Sequence, residues 1–148
     1  MTSPAPADVP APLAEIRDDF LALPDRDRLT LLLEFSDELP EVPEQYADAP
    51  FERVIECQSP VFITTEVADG RVAMHAKAPA EAPTTRGFAS ILVQGISGLT
   101  TDEVLAVPSD FPFSLGITGQ VSPLRLGGMV GMLARVQRQV RERLAAEA

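Results

Sequence analysis

Apolar residues near the start of the chain recur three or four positions apart, which is the spacing of one face of an α-helix. The first stripe consists of Leu13, Ile16, Phe20 and Leu23. The second stripe consists of Leu29, Leu32, Leu33 and Phe35. They predict one helix that Pro24 ends and a second that begins at Asp25, whose side chain is expected to cap it. Prolines at positions 40, 43 and 50 then predict an extended connector without a helix up to Ala49.

Three short stretches in the middle of the chain are typical of β-strands. They cover residues 53–57, 61–67 and 72–77, and the second is rich in β-branched residues. Between the last two, Ala68-Asp69-Gly70 carries the Asp-Gly signature of a tight hairpin turn. These patterns predict a small antiparallel sheet of about three strands.

The helical pattern returns after Pro83. One apolar face, which ends near Ser97, consists of Phe88, Ile91, Leu92 and Gly95. Thr100 and Glu103 have the spacing of a capping box, which predicts a short helix through Leu105. Loop or short turns are expected from Pro108 to Gly119.

A long helix closes the chain. Ser122 is expected to cap it, with Pro123 in the first helical position, and the helix is expected to run to about Ala145. It contains three glycines, at positions 127, 128 and 131. Glycine weakens a helix by about 1 kcal/mol relative to alanine, so these positions predict the close approach of another stretch of backbone. The elements together predict an α+β fold, a small antiparallel sheet of about three strands with helices packed on it.

The 148-residue chain has a length suited to one domain with its own core. Residues 1–12, rich in alanine and proline, are predicted to form a disordered N-terminal tail, and residues 13–148 a single domain. Only 5% of the residues are aromatic, so the core is expected to be aliphatic.

The formal net charge of −10 argues against nucleic-acid binding, because phosphate contacts need clustered lysine and arginine. The same charge disfavours an anionic membrane surface, and no apolar run reaches the roughly 20 residues that span a bilayer. The first dozen residues lack the basic and apolar regions of a signal peptide. We therefore expect a cytoplasmic protein with neither nucleic-acid nor membrane partners.

Cys57 is the only cysteine and His75 the only histidine of the chain, so neither an internal disulfide nor a metal site of cysteine and histidine can form. Two interpretations of the thiol stay open on the local sequence. A free cysteine is often an inert, buried apolar residue. A working thiol would act as a nucleophile or in redox exchange, with a partner protein supplying the second sulfur. His75 lies on a predicted strand and is expected to be a satisfied structural residue rather than a proton shuttle.

Two motifs, in this order along the chain, carry a family resemblance. The run Glu56-Cys57-Gln58-Ser59-Pro60-Val61-Phe62 contains Cys-x-Ser before an apolar strand. The run Ser122-Pro123-Leu124-Arg125-Leu126-Gly127-Gly128 has the form Ser/Thr-Pro-x-Arg-x-x-Gly at a helix start. Their order and spacing resemble the SufE family, the sulfur acceptors of iron–sulfur cluster assembly. The resemblance covers roughly residues 13–143 and implies a SufE-like domain.

The resemblance implies that Cys57 accepts the terminal sulfur of a persulfide on a SufS-like cysteine desulfurase and relays it to an iron–sulfur scaffold. It implies a carrier that stimulates its donor without being an enzyme itself. Such a carrier has no cofactor or metal of its own, since pyridoxal phosphate belongs to the desulfurase. Three alternatives stay open: a rhodanese-type sulfurtransferase as the donor, a thiol that senses redox conditions, and an adaptor that binds a partner through an acidic face.

Four further residues are expected to support the thiol or bind the partner: Gln58, Ser59, Glu81 and Arg125. Gln58 and Ser59 follow the cysteine, where Ser59 would shape the turn. Glu81 provides the carboxylate where the family commonly has Asp-Ser-Asp before the central helix. Arg125 opens the last helix and would stabilise a thiolate or shape the docking surface; the alternative is an ordinary ion pair with a surface carboxylate.

Glu56 stands where the family often has glycine, and its negative charge disfavours a neighbouring thiolate. Together with Arg125 it fits a thiol that is protonated and turned inward until a partner docks. A pKa of Cys57 well below about 7 in the free protein would contradict this hypothesis.

Overall fold

The computed structural model describes residues 9–147, so most of the predicted tail, residues 1–8, lies outside the described part. Helix α1 spans Ala11–Leu21. Two residues of the predicted tail are therefore helical, because Pro12 fits the first turn of a helix, where its missing N–H is not needed. Helix α2 spans Asp25–Asp37, but its N-cap is Pro24 and no side chain caps it. The predicted cap is wrong, since the carboxylate of Asp25 pairs instead with Arg28 at 2.7 Å.

The sheet consists of β1 (Glu52–Arg53), β2 (Phe62–Ala68) and β3 (Arg71–Lys77), in that order and antiparallel throughout. The predicted hairpin is confirmed: Asp69 and Gly70 link β2 to β3 with positive φ angles of 55° and 74°. The first strand was predicted to continue to residue 57, and this is wrong. It ends at Arg53, and the chain then bends through turns up to residue 59, which places Cys57 on a loop.

The remaining helices are α3 (Pro83–Ile96), α4 (Thr101–Leu105) and α5 (Pro123–Glu147). The capping box of α4 is present, with the N–H of Glu103 donating to the hydroxyl of Thr100 at 3.1 Å. Short 3-10 helices span Glu44–Tyr46 and Phe111–Leu115. The first of these corrects the prediction of a connector without helical structure, because one tight turn fits between its prolines.

Helix α3 lies at the centre, packed against α1, α2, α5 and β3, while α5 also packs along β2. Nearly all of α3 is buried from Gly87 onward, including Phe88, Ile91 and Leu92. The α+β fold with a three-stranded antiparallel sheet is confirmed, and it places the start of α5 against the loop between β1 and β2. Within residues 9–147, no helix is long and apolar enough to cross a membrane.

Candidate functional site

Cys57 lies in the loop between β1 and β2. The N–H of Val54 donates to the carbonyl of Val61 at 2.9 Å, after which the chain turns and the N–H of Cys57 donates to the carbonyl of Val54 at 3.1 Å. The Cys57 side chain is only 7% exposed and belongs to the hydrophobic core. The thiol is therefore at the edge of the core rather than on the free surface.

Two glycines of α5 make room for this loop. A Cβ atom at position 128 would lie 2.9 Å from the sulfur of Cys57, and one at position 131 would lie 2.8 Å from the Glu56 carboxylate. Close approach was predicted at Gly128 and Gly131, but the approaching groups are mainly side chains rather than backbone. At Gly127, no described atom beyond the adjacent residues and the backbone of the helix itself lies within 4 Å of the equivalent position, so no contact explains that glycine.

Arginines of α5 hold the loop by ion pairs. The Nε and Nη2 atoms of Arg135 donate to the two carboxylate oxygens of Glu56 at 2.9 and 3.2 Å. Arg135 and Arg138 both also pair with Glu52 of β1, and the side-chain amide of Gln139 donates to Glu52 at 2.9 Å. This network was not predicted from the sequence. The one indication in the sequence was the spacing of Arg135 and Arg138, which places both arginines on the same face of α5, one turn apart.

Burial, followed by the negative charge of Glu56, raises the pKa of the Cys57 thiol to about 11, and Arg135 opposes part of that shift. At neutral pH the thiol is therefore protonated, in agreement with the hypothesis of an inward-turned, protonated thiol. Arg125 is not among the groups that shift this pKa. The cation that acts on the thiol is Arg135, which also lowers the pKa of Glu56 by hydrogen bonding.

A cavity of about 490 Å³ opens beside the thiol. Its lining contains all five residues that the sequence predicted for the site: Cys57, Gln58, Ser59, Glu81 and Arg125. Ser59 shapes the turn, as expected, because its carbonyl accepts the N–H of Val61 at 2.9 Å. The cavity has the size of sites that take a small molecule or a few side chains of a partner.

Two of the predicted lining residues lie at or just before the start of a helix. Glu81 is exposed just before α3. Arg125 is exposed in the first turn of α5, where its N–H donates to the Ser122 hydroxyl at 3.2 Å and confirms that cap. Arg125 forms none of the ion pairs found among residues 9–147, which leaves its head group open to a partner. Two exposed apolar residues here were not predicted from the sequence: Leu124, which lines the cavity and is 66% exposed, and Ile55, which is 74% exposed on the cysteine loop.

His75 does not line this cavity. It lies on β3 beside a second cavity of about 340 Å³, where its ring is 4.1 Å from that of Tyr46. Burial lowers the pKa of His75, against a smaller opposing effect of Glu66. Its buried Nε2 has no hydrogen-bond partner among the described residues, so the expectation of a satisfied histidine is wrong for that atom. No group of three or more His, Cys, Asp or Glu residues in the described chain is placed to hold a metal ion.

Comparisons with known proteins agree with the fold and the motifs. A family model named SufE, described as an Fe-S metabolism associated domain, matches residues 14–140. A SufE-like protein of Mycobacterium tuberculosis is 52% identical over 139 residues, which cover 93% of this chain and 97% of the relative. A SufE-like protein of Synechocystis sp. is 29% identical over 134 residues, 90% of this chain and 82% of the relative.

A solved structure is also similar. It is the solution structure of a hypothetical protein from Thermus thermophilus, with 37% sequence identity and a TM-score of 0.83. The match covers 93% of this chain and 98% of the solved one. The family match over residues 14–140 includes both motifs and every residue that lines the cavity. The chain belongs to the SufE family, which is associated with iron–sulfur metabolism.

Proposed function

We propose that this protein is a sulfur acceptor and carrier, which takes the terminal sulfur of a persulfide on a cysteine desulfurase onto Cys57. The observation that carries the proposal is the placement of the only thiol beside a cavity, in a chain of the SufE family. The carrier then passes the sulfur to an iron–sulfur scaffold. It stimulates the desulfurase because it removes the persulfide that otherwise occupies the donor cysteine.

The transfer is a thiol exchange that needs no external oxidant or reductant. The thiolate of Cys57 attacks the outer sulfur of the donor persulfide, and the bond between the two donor sulfurs breaks. The donor cysteine leaves as a thiolate and takes up the proton that Cys57 has lost. Cys57 now carries the persulfide, and a scaffold thiol repeats the exchange on its outer sulfur. No cofactor of the carrier takes part, since the pyridoxal phosphate is that of the desulfurase.

The resting geometry makes the transfer dependent on the partner. With a pKa of about 11, the thiol is almost entirely protonated at neutral pH, and only the thiolate is nucleophilic. Docking of the donor must therefore expose or deprotonate Cys57. Arg125 and Leu124, exposed on the rim of the same cavity, provide a cation and an apolar side chain for that contact.

A redox sensor is less well supported by the same observations. Sensor cysteines react with small oxidants because they are accessible and have a low pKa. Cys57 is 7% exposed and its pKa is raised. A buried thiol of this kind suits delivery of sulfur by a docked protein rather than capture of a dissolved oxidant.

Intact mass spectrometry after mixing the protein with a persulfide-charged cysteine desulfurase tests the proposal. We expect the mass gain of one sulfur atom, which a reductant removes and Cys57→Ser abolishes. The matched control is Cys57→Ser/Ala145→Cys, which carries one exposed thiol near the end of α5, about 25 Å along the helix from Gly128 at 1.5 Å per residue. It should gain sulfur from inorganic polysulfide but not from the desulfurase.

Desulfurase turnover, measured with and without the protein, tests the stimulation. Equal sulfur gain by the control and the native protein would overturn the assignment of Cys57 as a specific acceptor. No gain from the desulfurase, together with gain from a persulfide-charged rhodanese, would show that the donor is of the rhodanese type.

A further inference from the structure

We infer that Glu56 is a positioning residue, which latches the cysteine loop onto α5 and so controls how often the Cys57 thiol becomes accessible. The Glu56 latch consists of the Glu56 carboxylate, the space above Gly131 that receives it, and the guanidinium of Arg135 that binds it. The inference deepens the proposed sulfur-acceptor function and rests on it for its biological purpose.

The contacts of Glu56 join the residue before the thiol directly to α5. Arg135 binds both of its carboxylate oxygens, and its side chain is itself only 17% exposed because it also pairs with Glu52 of β1. A two-point contact of this kind fixes the orientation of the carboxylate as well as its position. Since Glu56 precedes Cys57 in the chain, Cys57 cannot swing far outward while this contact holds.

Gly131 is an independent sign that the helix is built for this contact. A Cβ atom there would lie 2.8 Å from the Cγ, Cδ and Oε1 atoms of Glu56. Glycine within a long helix is unfavourable, and the space that it leaves is occupied by the Glu56 side chain. One turn earlier, Gly128 admits the sulfur of Cys57 in the same way. The two glycines therefore receive two successive side chains of the loop.

Two variants open the latch by different routes. Glu56→Gln keeps the size of the side chain but removes the charge that Arg135 binds. Gly131→Ala keeps every charge and favours the helix, but its methyl group displaces the Glu56 carboxylate from Arg135. Glu142→Gln is the matched control, because it makes the same substitution in an exposed ion pair of α5, with Arg138, which pairs with Glu52 rather than with Glu56.

The measurement is the alkylation rate of Cys57 by iodoacetamide in the purified full chain, from pH 7 to 10 and from low to high salt. An ion pair of this partial exposure corresponds to a change of about 1.5- to 5-fold in the open fraction. We expect both latch variants to react faster by that factor at low salt, and Glu142→Gln to react at the native rate. The native rate should rise with salt, which screens the pair, and the rate of Glu56→Gln should not.

Gly131→Ala separates opening of the loop from a change in thiol acidity, because it leaves the charge of Glu56 in place. A native alkylation rate for Gly131→Ala, or equal rates for Glu56→Gln and Glu142→Gln, would overturn the latch. A thermal unfolding midpoint for each variant shows that faster reaction does not reflect loss of the fold. The assay contains no donor protein, so failure of the latch and failure of the acceptor function give different results.

Discussion

The raised pKa of Cys57 predicts slow alkylation of the native protein compared with its unfolded chain. At pH 7, a pKa of about 11 leaves a thiolate fraction of about 1 in 10,000. An unperturbed thiol with a pKa of about 8.5 is about 3% ionised at the same pH. Acidity alone therefore slows the native reaction about 300-fold, and the 7% exposure of the side chain slows it further.

The assay follows iodoacetamide labelling by intact mass between pH 7 and 11, in buffer and in concentrated urea. We expect the native rate to rise about tenfold per pH unit without a plateau below about pH 10, because the rate follows the thiolate fraction. The rate of the unfolded chain should instead begin to level off near pH 8.5 and reach its plateau near pH 10. A native inflection below pH 8, or native and unfolded rates within a factor of ten at pH 7, would refute the reasoning.

The same shift has a defined sign in the pH dependence of stability. The folded pKa of the thiol, about 11, lies above its unperturbed value of about 8.5, so the stability associated with the protonated thiol is complete below about pH 8.5. It is lost as the pH rises toward 11, by at most about 3 kcal/mol at 1.36 kcal/mol per pKa unit. Urea unfolding of the native protein at pH 8 and pH 10 should show this loss, and Cys57→Ser should lack it.

Three further predictions concern the support of the loop and its surroundings. Burial would raise the pKa of Glu52, but hydrogen bonds from Gln139 and from Arg138 and Arg135 hold it at about 2. The stabilisation from the ionised carboxylate is therefore complete above pH 4.5 and is lost as the pH falls toward 2. Glu52→Gln should remove about 1–3 kcal/mol of the fall in unfolding free energy that urea unfolding shows between pH 6 and pH 3. Gln139→Leu should cost about 1–3 kcal/mol in the same assay at pH 7, because the buried hydroxyl of Thr65 donates to its amide oxygen at 3.0 Å. Thr100→Ala should cost about 0.5–2 kcal/mol by breaking the capping box with Glu103, and Thr100→Ser should restore most of it.

The elements that the sequence predicted well have strong local signals. The Asp69-Gly70 turn needs two residues that tolerate positive φ, and the capping box of α4 needs two side chains three positions apart. Both requirements can be read from neighbouring residues. The length of β1 could not be read from neighbouring residues, because nothing in Ile55 and Glu56 marks the end of a strand. The strand ends at Arg53 because the loop is held by α5, some 80 residues later in the chain.

The same distinction applies to the candidate site, where some residues are indicated by a local motif and others act through contacts with distant positions. Cys57 and Arg125 could be placed from two short motifs, and both line the cavity. Arg135, the partner of Glu56, could not be identified from the sequence, because an ion pair across 79 positions leaves no periodic pattern in one sequence. Gly131 was visible as an unfavourable residue within a helix, which indicated that something approaches there but not what.

The positions of these residues explain why the sequence pointed to Arg125, and not to Arg135, as the cation that acts on the pKa of the thiol. A helix start offers a favourable partial charge, and Arg125 there looks like a natural partner of Cys57. The fold instead uses Arg135, which acts on the thiol in two opposing ways: its charge lowers the pKa of Cys57, while its bond to Glu56 holds the loop in the buried position that raises it. Since burial is the larger effect, Arg135 contributes to a thiol that is unreactive at rest. Arg125, exposed at the same cavity, remains available for the contact with a donor that we propose.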